Sequence, residues 1–194
     1  FAGISVIGVA GVRLVDLRIH DIAGMGVAIA AGNTVEMRNS LIERASRTSL
    51  FVQGGAAEVE GIEVRDTQLL VGEGLGIRVE PSATASSSLS LRRSLVTKSI
   101  GGGVILLGGD MNLEGVLVRD VRASANNIGR GILVQSNDEP ATAALRSVVV
   151  ERAEGAGMTV VDGSCRAEGF VVRDTQGIPS NENTGQGITV EAVD

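Results

Sequence analysis

Three arginines recur at a fixed spacing and carry side chains suited to holding an anion. Arg65, Arg119 and Arg173 each lie in a Val-Arg-Asp segment, and 54 residues separate each from the next. An arginine is always charged, and its planar guanidinium offers a fork of donors that matches a carboxylate or a phosphate. In one column of a stacked fold, these side chains would form a catalytic or anion-binding stripe. Glu43 and Glu151 fall in the same column in neighbouring units, which favours a structural ladder of ion pairs.

Two glutamates have the chemistry of metal ligands. Glu36 and Glu58 are 22 residues apart and occupy the same relative position in neighbouring units. Carboxylate oxygens suit Ca²⁺, which takes six to eight oxygen ligands. Two glutamates supply only part of such a set. The sequence therefore offers a weak Ca²⁺ site as its one cofactor hypothesis.

A repeated motif must position these side chains. It is a β-branched residue followed by two polar residues, and its spacings are 22, 23 or 32 residues. From the second unit onward the 22- and 32-residue spacings alternate, which produces a longer repeat of 54 residues. The first residue of the motif, here called the anchor, is Ile19, Ile42, Val64, Val96, Val118, Val150 or Val172.

Each unit contains short segments in which apolar residues alternate with polar ones. One of them follows a glycine pair, as in Gly129-Arg-Gly-Ile-Leu-Val. Gly61, Gly115 and Gly169 separate two other segments at one relative place, where a bend can use the positive φ that glycine tolerates. Period-two alternation over short segments predicts strands. The sequence therefore predicts an all-β solenoid of about seven coils, each with three short parallel strands and no helix.

Two columns of charged residues support this register. Opposite charges attract at stacked positions of neighbouring strands, and like charges repel. The column two residues after the anchor alternates in sign without exception: Asp21, Arg44, Asp66, Lys98, Asp120, Arg152 and Asp174. The column four residues before the anchor alternates as well: Arg38, Glu60, Arg92, Glu114, Arg146 and Glu168.

Length and composition narrow the class of protein. A length of 194 residues predicts a single domain over residues 1–194. The net charge of −6 argues against nucleic-acid binding, and no apolar run approaches the ~18 residues of a membrane span. The chain opens on Phe1 rather than Met, so we expect a segment of a longer protein, with flanking coils or self-association covering the ends of the rod.

The Gly-x-Gly strands and the Val-Arg-Asp segments resemble the repeats of the right-handed parallel β-helix, the pectate-lyase-like solenoid. The resemblance covers nearly the whole chain and implies a single-stranded right-handed parallel β-helix. That family includes polysaccharide lyases, pectin hydrolases, phage tailspikes and adhesins, so the fold alone does not fix an activity. His20 is the single histidine, and it lies outside the Gly-His-Gly segment of pectin hydrolases. The chain also has no Trp or Tyr on which a sugar ring could stack.

Two hypotheses of function follow from the resemblance. The first is a non-catalytic, secreted or cell-surface scaffold, adhesin-like, whose partner is a polysaccharide or a cell-surface glycan. The use of arginine over lysine, with abundant Ala, Gly and Val, indicates a bacterial origin. The alternative is a polysaccharide lyase or glycoside hydrolase that acts on acidic glycans along a groove, with Arg65, Arg119 and Arg173 contacting the sugars.

The long units contain extra residues that predict loops. Insertions in repeat proteins map to loops on one face, which is often a binding face. Outward apolar residues such as Ile105 and Val161 lie near these loops, which either shield them or leave an interaction surface. The polar loop residues that we take as ligand-binding candidates are Gln68, Glu73, Asn126, Asn127, Asn181 and Asn183.

Overall fold

The alternating segments form strands throughout the computed structural model, which describes residues 1–69, 74–124, 128–178 and 185–192. Within these residues the chain forms 22 strands and no helix. The strands form three sheets of eight, seven and seven strands. Within each sheet, neighbouring strands pair in parallel. The predicted all-β solenoid of about seven coils with three strands per coil is therefore confirmed.

The chain visits the three sheets in a fixed order and then begins the next coil. Sheet A contains Ala2–Ile7, Met25–Ala30, Thr48–Gln53, Leu75–Glu80, Gly102–Leu107, Gly129–Gln135, Gly155–Val161 and Gln186–Glu191. Sheet B contains Val12–Val15, Thr34–Arg38, Ala56–Glu60, Ser88–Arg92, Gly109–Glu114, Ala141–Arg146 and Ser164–Glu168. Sheet C contains Arg18–Ile22, Leu41–Ala45, Glu63–Arg65, Leu95–Thr97, Leu117–Arg119, Val149–Glu151 and Val171–Arg173.

The register between coils is the one that the anchors predict. Val64 pairs with Ile42 on one side and with Val96 on the other. Because strands lie about 4.8 Å apart, the eight strands of sheet A span roughly 34 Å along the axis of the rod. Equivalent residues therefore form columns that run along this axis. No helix among the described residues is long and apolar enough to cross a membrane.

The core lies inside the coil, where the anchors of sheet C meet sheet A. Val96, Val118 and Val150 are fully buried. A Cβ at Gly131 of sheet A would lie 2.3 Å from Cγ1 of Val150, closer than real Cβ atoms approach. The second glycine of the Gly-x-Gly motif therefore makes room for an anchor from sheet C. Ser49 stands at this position in one coil.

The bends between sheets hold residues in the left-handed region. At the bend from sheet B to sheet C, Gly61, Gly115 and Gly169 have φ between 62° and 64°, as the sequence predicts. After sheet C, the whole alternating charge column adopts positive φ, including Arg44 at 54° and Lys98 at 54°. Such a backbone is uncommon for residues other than glycine, asparagine and aspartate. Packing of the repeated coil therefore imposes this turn on side chains chosen for their charge.

Candidate functional site

The structure aligns the three predicted arginines in one column on the outer face of sheet C. Arg65 and Arg119 both pair in register with Thr97, and Glu151 stands between Arg119 and Arg173. The next member of the column is Glu43, which pairs in register with Arg65. Arginines therefore occupy every second position of this column. The residues between them determine what each arginine contacts.

Glu43 holds the most heavily engaged carboxylate of this column. The residue is 1% exposed, yet it lies on the outer side of the sheet. Arg65 donates to its Oε2 from Nε at 2.9 Å and from Nη2 at 2.7 Å. Arg18 donates to its Oε1 at 2.8 Å, and Arg44 lies 2.9 Å from Oε2. Hydrogen bonds from Arg18 and Arg65 outweigh desolvation and lower the pKa of Glu43 from 4.5 to about 2.

Glu151 repeats this arrangement at the other end of the column. It is 5% exposed. Arg173 donates to its Oε2 from Nε at 2.9 Å and from Nη2 at 2.5 Å, and Arg152 lies 2.9 Å from Oε1. The hydrogen bond from Arg173 lowers the pKa of Glu151. Arg65 and Arg173 thus each form an ion pair with a buried glutamate of the preceding coil.

The neighbouring column of alternating charge forms the ion pairs that the sequence predicts. Arg44 contacts Asp21 at 2.5 Å, and Arg152 contacts Asp120 at 2.6 Å. Lys98 lies 3.4 Å from Asp66. Arg152 lowers the pKa of Asp120 by donating a hydrogen bond to it. Because Arg152 holds the pKa of Asp120 below its ordinary value, this carboxylate is poorly suited to act as a general acid near neutral pH.

The two glutamates of the calcium hypothesis lie side by side in sheet B. Glu36 and Glu58 pair in register. Glu36 is bound by Arg13 at 2.9 Å and also by Arg38, whereas Glu58 is exposed. Among the residues that the structure describes, no group of three or more His, Cys, Asp or Glu side chains comes together as a metal site would require. The calcium site stays a prediction.

A groove runs along the outer face of sheet B and begins at these two glutamates. Its central depression has a volume of about 410 Å³. Two further depressions adjoin it, because each shares lining residues with the centre: Glu58 and Ser90 at one end, Asn112 and Ala144 at the other. The groove follows the axis of the rod over six coils, a length of roughly 24 Å.

One column runs through all three depressions of this groove, and we call it the floor column. It is the column six residues before the anchor, and it carries few charges in the centre. Ser90, Asn112 and Ala144 occupy three consecutive coils there. In this column the neutral stretch lies between Glu36 and Glu58 on one side and Arg166 on the other, and the depressions at both ends also contain residues of the alternating charge column of sheet B. The floor residues are Glu36, Glu58, Ser90, Asn112, Ala144 and Arg166.

A parallel column lines one side of the groove and adds further polar groups. Ser88, Asp110 and Thr142 pair in register on consecutive coils. Hydroxyl, amide and carboxylate groups thus face solvent in a shallow trough about 5 Å apart along the rod. Sequence reasoning passed over Ser90 and Asn112. The signal that could have found them is their column, which lacks the alternating charges of the neighbouring column Arg92, Glu114 and Arg146.

The loop candidates are only partly described. Gln68 is exposed, and its backbone N–H donates to the carbonyl of Ala45 at 2.8 Å. The other five candidates lie outside the described residues: Glu73, Asn126, Asn127, Asn181 and Asn183.

The apolar outer face of sheet A is more buried than its alternation predicts. Leu75, Ile105 and Leu133 form a second cluster there and are 2%, 5% and 8% exposed. Leu107 and Val161 pack against this cluster and remain partly exposed. These side chains bury one another across the fourth to seventh strands of sheet A.

Comparison with known proteins agrees with the geometry. The family model described as a right handed beta helix region matches residues 2–175 of the chain. Among curated proteins, none matches the chain significantly.

Proposed function

The chain belongs to the right-handed β-helix family, and we propose that it is a non-catalytic scaffold that binds an extended polysaccharide along the groove of sheet B. We propose further that it does so outside the cell or at the cell surface, where such a glycan is accessible. The groove carries this proposal because its three adjoining depressions extend over six coils, and five of the six residues in the column that runs through them have hydrogen-bonding side chains.

The groove chemistry favours a chain of neutral sugars. Ser90 and Asn112 present a hydroxyl and an amide, which can donate to and accept from sugar hydroxyls. The repeat of the floor is about 4.8 Å, so successive coils offer equivalent contacts to an extended polymer. Glu58 and Asp110 are the charged residues of the central depression, and both would repel a uronic acid there. Arg166, in the depression at the far end, lies beside Glu114 and Glu168, so that end does not favour a uronic acid clearly either.

The charge pairs of sheet C favour a scaffold over an enzyme. Glycoside hydrolysis commonly uses a general acid, a carboxyl group whose pKa is raised towards neutrality. Glu43 and Glu151 instead have lowered pKa values, because arginines bind them. The same contacts engage Arg65 and Arg173, two of the three arginines that the enzymatic alternative requires.

Affinity electrophoresis through gels that contain neutral or acidic polysaccharides tests the proposal. The informative variant is Asn112→Ile with Ala144→Ile, which fills the centre of the groove at two coils that pair in register. Its matched control is Leu117→Ile with Val149→Ile, which alters the same two coils on the outer face of sheet C. We expect at least one neutral polysaccharide to retard the wild-type chain, the groove variant to lose at least ~10-fold in affinity, and the control to bind as wild type.

Two results would overturn the proposal. Equal retardation of the groove variant and its control would show that the polysaccharide does not bind in the groove of sheet B. Shortening of the polysaccharide during incubation would contradict the non-catalytic assignment and favour the lyase or hydrolase alternative. A parallel series with a calcium chelator tests Glu36 and Glu58, since a calcium-dependent interaction is lost in that series.

A further inference from the structure

The 54-residue repeat of sheet C loses a carboxylate at one position of the arginine column. Glu43, Thr97 and Glu151 occupy equivalent positions in it, and each precedes an arginine of the next coil. Two of these three arginines, Arg65 and Arg173, receive a carboxylate from the preceding coil. Arg119 instead faces Thr97 in register. Arg119 therefore has no carboxylate at the position where Arg65 has that of Glu43.

The guanidinium of Arg119 is left with weak contacts inside the protein. Its Nε is buried and has no hydrogen-bond partner within the described part of the chain. The closest carboxylate contact is Asp120 Oδ2 at 3.7 Å, which is too long for a hydrogen bond. Asp120 accepts instead from Arg152 at 2.6 Å. The side chain of Arg119 is 40% exposed, so a solute can reach it.

Thr97 adds a hydroxyl at the same place. The residue is 5% exposed, and among the described residues its hydroxyl donates one hydrogen bond, to Asp120 Oδ2, which is long at 3.4 Å. In register it stands between Arg65 and Arg119, and Lys98 follows it in the chain. Four carboxylates also lie in this neighbourhood, those of Glu63, Asp66, Asp120 and Glu151, the last of which pairs in register with Arg119 on its other side. All four contact basic side chains other than Arg119 at shorter distances than any contact with Arg119.

We propose that Thr97 and Arg119 form a binding site for an oxyanion from outside the chain, which takes the place of the glutamate carboxylate found at the two equivalent positions. The Arg119 guanidinium donates to the anion, and the Thr97 hydroxyl supplies a further donor. A carboxylate of an acidic sugar or peptide fits best, because the equivalent arginines hold carboxylates. Inorganic phosphate shares the required chemistry. This site is separate from the groove of sheet B and does not depend on it.

Side-chain NMR of ¹⁵N-arginine-labelled protein tests the site. The Nε–H signals are followed as acetate or inorganic phosphate is added at constant ionic strength, with chloride as the reference salt. We expect the Arg119 signal to shift and to saturate, while the Arg65 and Arg173 signals, already closed by glutamates, move little. Saturation by acetate alone identifies a carboxylate site, and saturation by both anions identifies a general oxyanion site.

Two variants decide whether Thr97 defines the site. Thr97→Glu places a carboxylate beside Arg119, as Glu43 does beside Arg65. We therefore expect the affinity of Arg119 for the added anion to fall about 10-fold or more and the melting temperature to rise. Thr97→Val keeps the shape and removes the hydroxyl, so we expect a response weakened about threefold with the fold unchanged. The proposal is wrong if Arg119 responds no more than Arg65 and Arg173, or if Thr97→Glu responds as the wild type does.

Discussion

The outer faces of sheets B and C are built from the same repeat, but they use polar residues in different ways. On sheet C, Glu43 is almost fully buried beneath three arginines. On sheet B, Glu58, Ser90 and Asn112 line an open groove. Both sets lie in columns with one residue per coil. They differ in whether neighbouring coils supply opposite charges that form ion pairs with one another.

This contrast separates stability from binding along one rod. A carboxylate that accepts hydrogen bonds from several arginines is satisfied within the protein and has little capacity left for a ligand. A hydroxyl or an amide in a column of uncharged residues keeps its donors and acceptors for solvent or a ligand. A regular solenoid can therefore assign some columns to holding its coils in register and others to recognition.

The largest difference in stability that we expect is between two glutamate-to-alanine variants, one on each face. Glu43→Ala removes the shared acceptor of Arg18, Arg44 and Arg65, so we expect the melting temperature to fall by roughly 5 °C. Glu58→Ala removes an exposed carboxylate from the groove and should change it by less than about 1 °C. Thermal unfolding followed by circular dichroism measures both. Similar losses in the two variants would contradict the division between the faces.

The pH dependence of stability should report the same glutamate. The pKa of Glu43 is about 2 in the folded chain, below its ordinary value of 4.5. Its contribution is therefore fully present above pH 4.5 and is lost as the pH falls towards 2. We expect the wild type to be more stable than Glu43→Gln at pH 6 and the difference to shrink over that acid range. A difference that stays constant with pH would rule out this linkage.

A smaller effect is expected where the ion pairs are exposed. Arg173→Gln leaves the buried Glu151 with Arg152 alone, whereas Arg146→Gln removes a partner 3.7 Å from the exposed Glu168. Exposed pairs contribute about 0–1 kcal/mol. Arg146→Gln should therefore melt within about 2 °C of wild type, and Arg173→Gln should melt clearly lower. The reverse order would show that burial of the glutamate does not set the strength of the pair.

The sequence was sufficient to predict the columns but not the depth of each side chain. Anchors and alternating charges predict which residues stack, and Arg44 with Asp21 and Arg152 with Asp120 form the expected pairs. The burial of Glu43 was not predictable, because it depends on three arginines from three coils that converge on it. Spacing gives the coil of a residue, but it does not give the direction of a long side chain.

The candidate site was harder to predict than the fold for a related reason. A groove is a property of a surface, and small side chains such as Ser90 and Ala144 make it by leaving space. Charged residues attract attention in a sequence, so Arg65 and Arg173 stood out although the structure shows them already engaged. Positions that interrupt a pattern, such as Asn112 in its column or Thr97 in the long repeat, are better pointers.

The most direct measurement of the central claim is a residue-resolved map of bound glycan. Backbone amide NMR shifts of the labelled chain would be recorded with and without an oligosaccharide cut from a polysaccharide that retards it. We predict that the shifts cluster on sheet B, at Ser90, Asn112, Ala144 and their neighbours on the same strands. Shifts concentrated on sheet A or sheet C, with the groove residues unchanged, would contradict the account.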